Sequence, residues 1–194
     1  MKNNKSIIVS FVLLVLMASL YRILPGRPLG FAPQIAMALF AGSIVKDKKY
    51  AFLLPLFSML VSDILYQVLF QFNVSTVPGF YNGQLINYVF FVALTVVGFA
   101  IKKTNPVHII AGSVAGATLY FLLSNFAVWI GGGLNIVNLP YPKTMAGLLN
   151  CYSEAIPFYR GSLYATLIFS SILFGGYFLI NKYFIQKPVV LAQL

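Results

Sequence analysis

The chain has 194 residues, 60% hydrophobic and only 8% charged, with a formal net charge of +10 and a mean hydropathy of +0.88. A soluble domain carries about a quarter charged residues, so this composition excludes an ordinary soluble protein and points to a polytopic membrane protein. One cysteine and one histidine exclude an intramolecular disulfide, a multi-cysteine metal site and a paired-histidine zinc motif.

Six apolar runs succeed one another: Ile7–Leu24, Phe31–Val45, Tyr50–Gln71, Gln84–Ile101, Val107–Ile130 and Ser162–Tyr183. Crossing the hydrocarbon core takes about 20 apolar residues in a helix. The runs lack the alternation of a β-barrel strand. The expected fold is therefore all-α, a six-helix transmembrane bundle forming a single domain over residues 1–194. The first run has the basic start (Lys2, Lys5) of a signal peptide, but its apolar stretch continues to Leu24, past the usual length, which favours a retained helix. The second run is short, about 22 Å at helical rise; it must recruit flanking residues, tilt little or pack inside the bundle. Ala38 and Gly42 within it, and Gly112 and Gly116 in the fifth, allow close helix approach. Pro55, one turn into the third run, is expected to bend it.

Basic residues favour alternate breaks. Lys2, Lys5, Lys46, Lys48, Lys49, Lys102, Lys103, Lys182 and Lys187 fall on one side, against Arg22, Arg27, Lys143 and Arg160 on the other. The positive-inside rule then puts both termini in the cytoplasm of a bacterial cell, with the chain in its inner membrane. Anionic lipid headgroups are the expected partners of the lysines, and nucleic acid is not. The outer breaks are the richer ones. Residues 72–83 mix polar, turn and aromatic residues, and 131–161 contains a short helix expected at 143–156, with Met145, Leu148, Leu149, Tyr152 and Ile156 on one face. It is too short and mixed to span, so it is expected at the outer interface.

Only Asp47, Asp63 and Glu154 are acidic. Asp47 reads as a solvated counter-charge. Asp63 lies roughly 20 Å into the third run, where an ionisable side chain costs about 2.5–3.5 kcal/mol and is a functional candidate. The structural alternative is a helix-packing hydrogen bond, or an ion pair with Arg22 or Arg160. Asn125 and Trp129 share a face near the outer end of the fifth run, with helix glue and interfacial anchoring as their structural alternatives. Tyr141, Lys143, Glu154 and Arg160 gather polar, aromatic and charged groups in the last outer break. Arg160 stands near the start of the sixth helix, where the dipole also favours anions. Cations outnumber acids on this side, which suits an anionic or carboxylate-bearing small molecule. Cys151 reads as a small buried residue. No paired carboxylates, nucleophile–base set or metal cluster points to an enzyme.

The segments Phe31–Gly42, Leu53–Leu56 with Ser62-Asp63, Ser124–Trp129, Tyr141–Leu148, Cys151-Tyr152 and Ala155–Phe158 resemble a family of small, uncharacterised bacterial integral membrane proteins. The architecture is further similar to the substrate-binding S components of energy-coupling-factor vitamin transporters. That resemblance implies a ligand pocket in the outer loops and outer helix halves, and energising transporter subunits as partners. It does not extend to the Ala-x-x-x-Ala docking motif, since Ile7–Leu24 has a single alanine, Ala18. The expected function is import of a small vitamin-like or anionic metabolite from the outer side. The alternative is a structural or assembly membrane protein without a small-molecule ligand.

Overall fold

The computed structural model describes residues 2–182; Tyr183 and Lys187 lie outside the described residues. Helices run α1 Lys2–Ile23, α2 Gln34–Ile44, α3 Lys48–Ala51, α4 Leu53–Gln71, α5 Gln84–Phe99, α6 Pro106–Ile130, α7 Met145–Glu154 and α8 Ile156–Ile180, with no named strand among the described residues. The stretches Lys48–Gln71, Pro106–Ile130 and Ile156–Ile180 are long and apolar enough to cross a membrane, and they mark the chain as a membrane protein.

The six spans expected from six apolar runs are not supported by helix length. α2 has 11 residues and α5 has 16, or about 16 and 24 Å at helical rise. The apolar ends of those runs do not stay helical: Val45 is already extended after α2, and α5 stops at Phe99 before Ile101.

The shortness of α2 has a packing consequence. Every residue from Gln34 to Gly42 is buried, and α2 packs against α4, α5, α6 and α8. It is the axis of the bundle. Small residues let its neighbours close in. A Cβ on Gly42 would fall 2.2 Å from the Thr95 carbonyl oxygen, and one on Gly98 would fall 2.5 Å from that of Leu39. α2 and α5 therefore touch backbone to backbone. Leu39 also fills the space left by Gly116 of α6, and Phe40 meets Phe174 of α8 edge-on at 5.2 Å between ring centroids. Ser113 of α6 donates to Ser170 of α8, or accepts from it, at 2.9 Å. Outward faces carry exposed large apolar side chains, among them Val89, Ile110, Leu122 and Ile172. Hydrocarbon is the solvent that suits such a surface.

Pro55 removes one rung from the helical ladder of the third run, by an identifiable route. It has no N–H for the Ala51 carbonyl. A one-residue turn at Phe52 separates α3 from α4, and the ladder resumes with Leu56 N–H donating to the Phe52 carbonyl at 3.2 Å. Three described helix starts are capped by side chains; at α3, Asp47 accepts from Lys49 N–H. Asn105 accepts from Val107 and His108 at α6, and Thr144 accepts from Gly147 at α7. α8 begins at Ile156, ahead of the run starting at Ser162, because Pro157 suits a first helical turn.

Candidate functional site

The C-terminal ends of α1, α4 and α6 and the N-terminal ends of α2, α5 and α8 lie at one end of the bundle. Loops 24–33, 72–83 and 131–144 and helix α7 cover that end. Beneath them is a cavity of about 590 Å³, its walls set by Arg22, Arg27, Gln34, Asn125, Tyr141 and Glu154 among others. Met59, Phe91 and Val128 supply apolar wall. This size and mixture are those of a small-molecule site.

Asp63 stands behind the cavity wall. Its carboxylate accepts from Arg22 Nη1 on one oxygen, and from Gln84 Nε2 and Tyr88 Oη on the other, the last at 2.6 Å. The residue is 1% exposed. Arg22 is the partner reached, and Arg160 is not. Tyr66 steadies Arg22, its hydroxyl donating to the Arg22 carbonyl at 2.8 Å, with the guanidinium 5.6 Å from its ring centroid. The network joins α1, α4 and α5. The 72–83 loop seals it: a Cβ on Gly79 would fall 1.8 Å from the Asp63 carbonyl oxygen, and Gln67 Oε1 accepts from Gly79 and Phe80 N–H.

Glu154 closes α7 over the cavity. One carboxylate oxygen accepts from Tyr141 Oη at 2.6 Å and Ile136 N–H at 3.2 Å, and the other from Asn150 Nδ2 at 3.1 Å. The segment 133–141 is a compact turn around Asn135, whose side chain accepts from Val137 and Leu139 N–H. Burial, and then the hydrogen bond to Glu154, push the Tyr141 phenol up from its ordinary value. Cys151 is 2% exposed, and burial pushes its thiol up as well. α7 turns Gly147, Cys151 and Ala155 inward. Met145 and Leu149 of α7, and Ile156 at the start of α8, are exposed apolar residues.

Asn125, Tyr141 and Glu154 thus line one cavity. Trp129 and Lys143 pair with each other instead. Trp129 Nε1 donates to the Pro142 carbonyl at 2.9 Å, while Lys143 donates to the Trp129 carbonyl and lies over its ring. Arg160 lines a separate, mostly apolar groove with Phe121, Tyr152 and Tyr159. The sequence reading did not single out Gln34 or Asn87, both of which line the cavity. Arg27 was counted only as a charge, and Arg22 as a charge and one of two candidate ion-pair partners of Asp63. A polar residue directly after Pro33 at a helix start was the one available signal for Gln34.

A family model described as a family of unknown function, DUF6580, matches residues 1–189. The chain belongs to DUF6580. This DUF6580 protein fits the expected resemblance to an uncharacterised membrane family. No curated protein and no solved structure matches the chain.

Proposed function

We propose that this DUF6580 protein binds a small metabolite in the loop-covered cavity and takes part in its import. The observation that carries the reading is the cavity itself: about 590 Å³, roofed by α7 and its preceding turn, with Arg22, Arg27, Gln34, Asn125, Tyr141 and Glu154 on its walls. A purely structural bundle has no need of such a space. In this reading all six apolar runs cross the inner membrane. The two short helices do so with their flanking loops shielded by neighbours, as irregular backbone at membrane depth requires. The termini are cytoplasmic by the lysine bias, and the cavity faces outward. The ligand is anionic or vitamin-like. Energising subunits akin to those of vitamin transporters are the proposed partners. The site binds and does not catalyse: Asp63 and Glu154 are each held by three donors in supporting roles. Native mass spectrometry of gently purified protein tests this. A retained small molecule, lost on unfolding, is expected; an empty, folded protein across preparations counts against import of a captured metabolite.

A further inference from the structure

α2 starts inside the protein. Gln34, Ile35 and Ala36, its first three residues, are 2%, 5% and 0% exposed, and no side chain caps the N-terminus, which follows Pro33. The first N–H groups of a helix have no partner within it, and a buried start without a cap is costly. This start lies at the cavity, since Gln34 and Ile35 both line it. A second observation points the same way. Gln34 Nε2 donates to the Ala18 carbonyl at 3.3 Å, while its Oε1 meets no hydrogen-bond partner. Arg27 lines the cavity too. It donates to the Phe31 carbonyl and the Tyr66 hydroxyl, and has no carboxylate partner among the described residues. Arg22, by contrast, has its charge answered by Asp63.

We infer that the start of α2, with Arg27, receives the carboxylate of the ligand, and that Gln34 Oε1 accepts from an N–H or O–H donor beside that carboxylate. The inference rests on the proposed capture of a metabolite in this cavity, and it names the ligand class: carboxylic acids with a neighbouring amino or hydroxyl group. A helix whose buried start lies beneath the loop-covered end presents the positive end of its dipole to an anion, and its first N–H groups supply the direct contacts. Glu154 lies on α7, and its carboxylate is held by Ile136, Tyr141 and Asn150.

Affinity selection with mass spectrometry tests this on detergent-purified full-length protein. The probe is a small-molecule extract of bacterial cells, one half of it treated with carbodiimide and methylamine to turn carboxylates into neutral amides. Wild type should retain carboxylic acids from the untreated half and lose them from the treated half. Arg27→Gln and Gln34→Glu should each lower their retention by on the order of tenfold to a hundredfold, the range for loss of a charged hydrogen bond. Elution volume and melting temperature verify that both variants are folded; if one is not, the other carries the test. Equal retention from both halves, or full retention by a folded variant, overturns this assignment while leaving metabolite capture standing. Folded wild type that retains nothing overturns the capture reading and this inference with it.

Discussion

Arg22, on the last turn of α1, donates to the carboxylate of Asp63 in the middle of α4. The acid is almost fully enclosed, whereas the arginine side chain keeps 18% of its surface. Gln84 and Tyr88 of α5 complete the acid's coordination. A carboxylate that costs several kcal/mol to bury alone is tolerable when every lone pair in use meets a donor. The arrangement gives Asp63 a clear role in holding three helices together.

Removing one member should therefore cost more than the pair contributes. Asp63→Ala leaves Arg22 without its counter-ion and should destabilise by about 3–5 kcal/mol. Asp63→Asn keeps one acceptor, and Tyr88 can rotate to accept from the new amide, so a smaller loss of about 1–3 kcal/mol is expected. Thermal unfolding in detergent, read by intrinsic fluorescence, measures both. Equal melting temperatures for wild type and Asp63→Ala would refute the assignment.

Gly98→Ala should destabilise by about 1–3 kcal/mol, the usual range for forcing extra volume into a packed core. The added Cβ meets the Leu39 carbonyl, a backbone atom that cannot rotate away. Gly175→Ala is the matched comparison, because nothing lies within 4 Å of its new Cβ. It should be neutral or stabilising by about 0.4–1 kcal/mol. The difference in melting temperature between the two variants is the readout.

Cys151 should resist alkylation. The reactive species is the thiolate, and burial raises the pKa of this thiol, so at neutral pH the thiolate fraction falls below that of a free cysteine. Maleimide labelling should be slow in the folded protein, accelerate as pH rises, and become rapid in denaturant. Rapid labelling of folded protein at neutral pH would show that α7 does not stay closed on α6.

Tyr141 predicts a pH-dependent loss of stability on the alkaline side. Its folded pKa is raised, so the neutral phenol is favoured by the fold. That contribution is complete below the ordinary phenol value near ~10 and is lost as pH climbs through the raised value. Tyr141→Phe should remove the alkaline component and, by deleting the hydrogen bond to Glu154, increase hydrogen exchange across 133–141. Unchanged exchange in that segment would show that the bond does not hold the turn.

The proposed orientation is tested with single cysteines in a Cys151→Ser background. Lys48→Cys should label only from the cytoplasmic side, since the lysine bias puts α3 there. Labelling of intact cells by a membrane-impermeant reagent at that position would reverse the topology.

Much of this fold was readable because lipid imposes simple rules. The run Val107–Ile130 and α6 coincide almost residue for residue, and the short second run proved to be the interior one. Helix length was harder to read. Apolar residues continue past the ends of α2 and α5 because Val45 and Ile101 pack into the core from backbone outside the helices, and hydropathy alone does not distinguish the two states. The cavity was legible only in part. Asn125, Tyr141 and Glu154 stood out by chemistry, whereas Gln34 and Arg27 acquire their significance from α2 beginning in the interior, a tertiary fact. Trp129 and Lys143 sit close in sequence to cavity residues, yet they satisfy each other.

The enclosure of α2 also bears on how the protein is made. Four of its packing partners, α4, α5, α6 and α8, follow it in the chain, so at the moment of its synthesis those four walls do not yet exist. At about 16 Å it is too short to settle across a bilayer alone, and its first-turn amides have nothing to bind. Biogenesis must therefore hold this segment in a sheltered place until later helices arrive. The centre of the finished bundle is translated before four of the helices that enclose it.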